Sequence, residues 1–340
     1  MPADQPTTLA ELTTLRLGGP IADLVEATDQ QTLVDTLSRA DGQRRPVLVV
    51  AGGSNLVAAD AGWPGLVVVV RTRGIHVQPD GDDVLVTVAA GEPWDDLVKR
   101  AIAEGWAGLE TMSGIPGSTG ATPVQNVGAY GREIAETITA LTVYDRQTTR
   151  TETWTPQRCG FGFRTSAFKH TDQFVVLDVT LRLPRSAHSL PIRYLELAGR
   201  LGVEQGGIAP TERVRETVLG LRRGKGMLLD PADHDSWSVG SFFVNPLVDV
   251  LPDAAKECPH WPNGGGIKLS AAWLIEQAGF HRGYGHGNVS VSTKHSLALT
   301  NRGGATTAEL LELAAEIRAG VVARFGVRLR PEAHLAGVDF

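Results

Sequence analysis

The sequence predicts a protein of mixed strands and helices divided into more than one domain. Its 340 residues are enough for two or three domains. In the first third, apolar strand-like runs such as PVLVV (46–50) and LVVVV (66–70) alternate with helical spacing. A nineteen-residue loop follows, SGIPGSTGATPVQNVGAYG (113–131), too rich in glycine and proline to be helix or strand.

Taken in order, 46–50 reads as a buried strand running into the glycine-rich turn AGGSNL (51–56). Residues 66–70 and 84–88 are further strands. Residues 92–104 have the apolar spacing of an amphipathic helix, which Gly105 ends. Strands are expected at 138–144 and 174–183, around the segment 159–170. The apolar pattern thins over 201–210, a candidate hinge, and 211–221 reads as a helix. A strand is expected at 241–244. A helix is expected at 268–278, with Ala271, Leu274, Ile275 and Ala278 on one face. Thr306-x-x-Glu309 is a capping box opening a last helix that runs to about Arg324, after which Gly326 turns the chain toward Pro331-Glu332. There is no internal repeat and no low-complexity segment.

A net charge of −6 argues against nucleic acid or an anionic membrane as the main partner, so an anionic ligand needs local positive groups. Two cysteines, Cys159 and Cys258, indicate neither a disulfide framework nor a zinc site. The nine histidines form no HExxH motif, and no metal is expected. The opening MPADQPTTLAELTTL lacks a basic region followed by an apolar core, and the longest apolar run, 66–70, is far too short to span a bilayer. A cytoplasmic protein is expected.

The long loop carries five glycines (114, 117, 120, 128, 131), two prolines (116, 123) and the neutral side chains of Ser113, Ser118, Thr119, Thr122, Gln125 and Asn126. Backbone N–H groups of such a loop can hold phosphate without Lys or Arg. AGGSNL alone is as compatible with a structural turn, and it matches neither GxGxxG nor GxxxxGK[ST]. Together the two loops suit the two phosphates of a dinucleotide. Arg164 lies among aromatic residues in FGFRTSAFK (161–169), where it must be paired in a salt bridge or face a ligand. Ser241 opens GSFFVNP with no histidine nearby in sequence, so a hydrolase triad is poorly supported; it is a proton donor or a strand-end hydroxyl. Glu332, Lys225 (in RRGKG, 222–226) and Tyr194 are either site residues or surface.

In order along the chain, TLRLGG (14–19), AGGSNL, GLE (108–110), SGIPGSTGATPVQNVGAYG, FRTSAFK, GSFFVNP, KLSAAWLIEQAGF (268–280) and PE resemble the UDP-N-acetylenolpyruvoylglucosamine reductase (MurB) family. The resemblance spans about residues 14–332, and QNVGAYG and GSFFVNP are its most specific blocks. It implies a flavin-binding α+β fold like that of vanillyl-alcohol oxidase (PCMH type) in two subdomains, with a smaller C-terminal α+β substrate domain. The expected boundaries are 1–70 and 71–215 for the FAD-binding subdomains and 216–330 for the substrate domain, the tail 331–340 returning to the first. A monomer is expected.

The resemblance also implies an FAD-dependent oxidoreductase of peptidoglycan precursor synthesis, a UDP-N-acetylmuramate dehydrogenase. Its FAD is non-covalent, its co-substrate is NADPH and its partner is a small nucleotide-sugar. By motif, FAD would be held by Gly52, Gly53, Ser54, Asn55 and Leu56, and by Ser113, Gly114, Ile115, Pro116, Gly117, Thr119, Gly120, Thr122, Gln125, Asn126, Gly128, Ala129 and Tyr130. The catalytic positions fall on Ser241, Arg164 and Glu332, and the substrate-binding ones on Lys225, Tyr194 and Asn245. Tyr194 implies the family subtype that carries a tyrosine loop. The usual tyrosine before the arginine is here Phe163. In the implied chemistry, hydride reaches C3 of the enolpyruvyl ether and negative charge develops from C2 into the carboxylate. Arg164 holds the carboxylate, protonated Glu332 stabilises the enediolate, and Ser241 protonates C2. Two other readings rank behind: a flavin oxidase of a small alcohol or aldehyde, which shares the two loops but has no need of Lys225 and Tyr194, and a non-redox nucleotide-sugar binding protein that has lost its flavin, against which the intact QNVGAYG loop speaks.

Overall fold

A computed structural model describes residues 6–340. The chain divides into two compact units, one made of residues 1–22, 53–64 and 224–340, the other of residues 23–52 and 65–223.

The second unit is organised by a five-stranded antiparallel sheet, ordered Arg150–Trp154, Ile138–Asp145, Phe174–Pro184, Asp83–Ala89, Ile75–Asp80. Alternating valines at 84, 86 and 88 are fully buried on one face, as a period of two requires. Helix Trp94–Ala103 covers that face with Trp94, Leu97, Val98, Ala101 and Ile102. Gly105, at φ +72, ends the helical segment. A smaller sheet orders Ile21–Ala27, Trp63–Val70 and Val47–Val50, the last two parallel. Its nearly continuous valine run is buried, because helix Gln30–Gly42 and the larger sheet enclose it. That helix starts at Asp29, whose carboxylate accepts the Thr32 N–H at 2.8 Å.

The first unit packs helix Thr307–Phe325 against Leu274, Ile275, Phe242 and Phe243 in one apolar cluster. The capping box is present: Glu309 N–H donates to Thr306 Oγ1 at 3.1 Å, and Thr306 N–H to Glu309 Oε2 at 2.7 Å. Two small antiparallel sheets flank the cluster, ordered Leu247–Val248, Gly266–Leu269, His260–Asn263 and Gly285–His286, Val289–Val291, Leu299–Asn301. His334–Ala336 pairs in parallel with Leu56–Ala58.

Two expectations are corrected. The helix expected at 268–278 starts at Ala271, because Lys268 and Leu269 pair in the sheet with Leu247, Trp261 and His260. Residues 241–244 form no regular strand; a single bridge joins Phe243 to Pro331. The pairing goes no further because the Phe242 N–H, which would complete a pair with Glu332, donates to Leu297 O at 2.8 Å instead. Among the described residues, no helix is long and apolar enough to cross a membrane.

Candidate active site

In the unit formed by residues 23–52 and 65–223, the two glycine-rich loops meet backbone to backbone. A Cβ on Gly52 would lie 2.5 Å from the Gly117 Cα, a separation no side chain tolerates. Gly120 is pressed equally hard against Ala90, with its N–H donating to the Ala90 carbonyl at 2.8 Å. The middle of the loop is buried, which excludes an ordinary surface turn.

The loop's hydroxyls mostly shape it. Ser113 Oγ donates to Glu110 O at 2.7 Å, Thr119 Oγ1 to Glu92 O at 3.1 Å, and Thr122 Oγ1 to Thr119 O at 2.7 Å. Asn126 places both amide hydrogens on protein, on Glu133 Oε2 at 2.8 Å and Gly162 O at 3.1 Å, while its oxygen accepts the Ala135 N–H. Ser118 Oγ, by contrast, is a buried hydroxyl with no partner within the protein, a loose end that a bound group can satisfy.

At the end of the loop, Gly128-Ala129 and Arg132-Glu133 form a tiny hairpin whose turn residues, Tyr130 and Gly131, both have positive φ (50° and 85°). A two-residue turn of this hand favours Asn-Gly. A tyrosine there costs on the order of 1 kcal/mol, a strain characteristic of functional positions. The Tyr130 ring meets Tyr194 edge-on at 5.5 Å. Burial pushes the Tyr130 phenol up to about 12, with the Arg222 charge pulling the other way. Tyr194, 42% exposed, opens helix Leu195–Leu201.

Arg164 occupies a second strained position, φ 53°, at a cost of about 1–3 kcal/mol. Its guanidinium donates to Gly128 O at 2.8 Å, and its own carbonyl accepts Lys169 Nζ at 2.9 Å. Phe163 lies against the arginine, with the guanidinium carbon 5.4 Å from the ring centre. The turn is tied to the glycine-rich loop by the Asn126–Gly162 contact and by Ser166 Oγ donating to Val124 O at 2.7 Å.

A charged clamp holds the front of the loop. Asp95 accepts the Gly114 N–H at 2.6 Å and takes two hydrogen bonds from Arg215, at 2.6 and 2.7 Å. From the other side, buried Arg222 donates Nε–H to Gly114 O at 3.2 Å. Burial alone would raise the Asp95 carboxyl, but the Arg215 hydrogen bonds, the Gly114 N–H and the charges of Arg215 and Arg222 outweigh it and lower its pKa. A lowered carboxyl pKa contributes stability above the unfolded value of about 4, lost as pH falls below it. Asp95→Asn should therefore cost roughly 1–2 kcal/mol near neutrality, discounted for partial exposure. The gap from wild type should narrow below about pH 4. Thermal melts of both proteins from pH 7 to 3 check this; a constant gap would remove the charge from the explanation.

In the unit formed by residues 1–22, 53–64 and 224–340, three distant stretches converge. Glu332 N–H donates to Phe242 O at 2.7 Å, setting Glu332 against the residue that follows Ser241. Asn55 Nδ2 reaches Glu332 O at 3.4 Å, and His334 N–H donates to Asn55 O at 2.9 Å. Ser241 and Glu332 are half-buried, while Phe242 and Phe243, stacked edge-on at 4.9 Å, anchor the segment in the core. Asn245 Oδ1 accepts the Ala271 N–H at 3.0 Å.

Gly53, at φ 56°, passes so close to Leu12 that a Cβ would sit 1.8 Å from that carbonyl. Thr14, which opens TLRLGG, ties to the same place: its N–H donates to Gly53 O and its Oγ1 to Ser238 O at 2.7 Å. Lys225 stands on its own loop, where Gly226 packs on Asp235, a buried carboxylate held by Thr293 and Arg302.

Sequence reasoning named Ser118 among the loop's neutral side chains without a specific contact, and passed over Lys169 and the Asp95–Arg215–Arg222 clamp. Lys169 and Arg222 lie inside quoted motifs without a role; Asp95 has no signal at all.

The fold and the loops define an FAD-binding protein. A model described as an FAD binding domain matches residues 21–153. The UDP-N-acetylenolpyruvoylglucosamine reductase C-terminal domain model matches residues 230–336. Curated reductases of that name from Salinispora arenicola and Thermobifida fusca are 53% and 50% identical, over 95% and 97% of this chain and 93% and 97% of theirs. The crystal structure of the Thermus caldophilus reductase (MurB) superposes with a TM-score of 0.67 at 25% identity, covering 97% of both chains. The chain belongs to the UDP-N-acetylenolpyruvoylglucosamine reductase (MurB) family.

The residues present fit FAD: the loops close without side chains at Gly52 and Gly120, and the buried Ser118 Oγ has no partner within the protein.

Proposed function

We propose that this chain, an FAD-dependent oxidoreductase of peptidoglycan precursor synthesis, acts as a UDP-N-acetylmuramate dehydrogenase. It reduces the enolpyruvyl ether of UDP-N-acetylglucosamine enolpyruvate to a D-lactyl ether, with NADPH as electron source. FAD, when bound, supplies hydride to C3 of the enolpyruvyl group. Arg164 holds the substrate carboxylate. Glu332, in its protonated form, donates a hydrogen bond to the oxygen on which charge develops, and Ser241 gives its proton to C2. A serine is a weak acid, so neighbouring positive charge must lower the cost of its transient alkoxide. Lys225, Tyr194 and Asn245 bind the nucleotide-sugar.

The observation that carries this reading is the Glu332 N–H to Phe242 O hydrogen bond at 2.7 Å. It sets the proposed acid and the proposed enediolate partner on adjoining segments, although 91 residues separate them in sequence. The functional division into 1–70 and 71–215 for FAD, 216–330 for substrate and the tail 331–340 belongs to the same proposal. So do the tyrosine-loop subtype, the monomer and the cytoplasmic setting.

The decisive experiment follows visible absorbance anaerobically, with NADPH added first and the enolpyruvyl nucleotide second. Yellow colour bleached by NADPH and restored by the nucleotide is the expected result. Colour that only air restores points to an oxidase, and a colourless protein sinks the flavin reading.

A further inference from the structure

We infer that Lys169 is a positioning residue for Arg164, acting through the backbone rather than on the substrate. The inference rests on the reading above that Arg164 holds the substrate carboxylate. Arg164 has a left-handed backbone (φ 53°) without glycine's freedom, so something must hold it there. The turn closes on itself, Gly162 N–H to Thr165 O at 3.0 Å and Thr165 N–H to Gly162 O at 3.3 Å. The second of these bonds holds the N–H side of the peptide that follows Arg164. That peptide's carbonyl is held by the Lys169 ammonium at 2.9 Å, a charge-assisted bond from five residues further on.

Lys169 is itself well placed to hold still. Its N–H donates to Ser166 O at 3.2 Å, and Ser166 Oγ is anchored on Val124 O. Next to it, buried Phe168 stacks on Trp154 at 5.2 Å. The Lys169 ammonium and the Gly128 carbonyl, which receives the guanidinium, thus grip Arg164 at its two ends. Releasing one end lets the backbone relax toward commoner conformations, and the guanidinium is then correctly aimed only part of the time.

The test is a double-mutant cycle on the flavin-loaded enzyme. Lys169→Met keeps most of the aliphatic stem and removes the charge. Its bleaching by NADPH should stay within about twofold of wild type, because that step does not use the substrate carboxylate. Reoxidation by the enolpyruvyl nucleotide should slow by roughly tenfold, and calorimetric affinity for UDP-N-acetylmuramate should fall by a similar factor. In an Arg164→Met background the same Lys169→Met change should cost less than about twofold, since the group it positions is gone.

Equal losses in both backgrounds would show that Lys169 acts independently, and no loss in the wild-type background would show that it positions nothing; either overturns the inference. Should Lys169→Met not fold, Lys169→Gln, whose neutral amide is too short to reach the Arg164 carbonyl, is put through the same cycle. Wild-type enzyme that the nucleotide fails to reoxidise overturns the functional reading itself, an outcome distinct from additivity in an active enzyme.

Discussion

Ser241→Ala should yield a yellow protein that NADPH bleaches at the wild-type rate and that the enolpyruvyl nucleotide restores 10²–10⁴ times more slowly, the range lost with a general acid. The two half-reactions separate because only the second needs a proton at carbon. The substitution is clean in structural terms. Ser241 is half-buried, its neighbours Phe242 and Phe243 do the packing, and the hydrogen bonds that hold the segment use main-chain atoms: Phe242 N–H to Leu297 O, Glu332 N–H to Phe242 O and Val244 N–H to Arg330 O. Stability should therefore change by less than about 1 kcal/mol. Stopped-flow absorbance gives both rates, and wild-type reoxidation by this variant would falsify the role of Ser241.

Gly52→Ala should strip the protein of its flavin. The new methyl would lie 2.5 Å from Gly117 Cα and 3.0 Å from Gly117 C, both backbone atoms that no rotamer change can move. The two glycine-rich loops must then part, by roughly an ångström, at the proposed diphosphate cradle. Overpacking of this kind costs about 1–3 kcal/mol in stability. The larger loss falls on the cofactor, because every donor in the cradle shifts with its loop. Gly42→Ala is the matched control: it adds the same methyl at the end of a helix, with nothing within 4 Å and no positive φ. Flavin absorbance per polypeptide after gel filtration compares the two. Full retention of FAD by the Gly52 variant would mean that the loops do not form the cradle.

The buried strands were legible because apolar runs and alternation are properties of neighbouring residues. Residues 66–70 and 84–88 are bounded within a residue or a few of Trp63–Val70 and Asp83–Ala89. The capping box at Thr306 and the stop at Gly105 were legible for the same local reason. The first strand, Ile21–Ala27, and helix Gln30–Gly42 were not picked out, although Asp29 is a good N-cap; their apolar positions are diluted by Asp, Glu and Gln on exposed faces.

At the site, residue types pointed to the loops, while the reasons those types are needed came from distant partners. Asp95 and Arg215 are 120 residues apart, and nothing near either one announces the pair. Asn126 fitted a cofactor contact by type, yet its amide hydrogens go to Glu133 and Gly162, so its side chain builds the loop. The segment at Ser241 looked like a strand because Phe, Phe and Val follow one another. Two consecutive buried phenylalanines defeat strand alternation, and the Leu297 carbonyl that takes the Phe242 N–H is too remote in sequence to be weighed.

The pairing of His334–Ala336 with Leu56–Ala58 has a consequence for how the protein is made. Asn55 and Glu332 are separated by 277 residues, so the strand leaving the first glycine-rich turn has no partner until nearly the whole chain has been synthesised. The unit made of residues 23–52 and 65–223 contains all its own strands by that time and can collapse while translation continues. The other waits with its early segments, 1–22 and 53–64, already outside the ribosome. A nascent chain interrupted before residue 334 would leave the edge of strand Leu56–Ala58 unpaired and open to pairing with other chains.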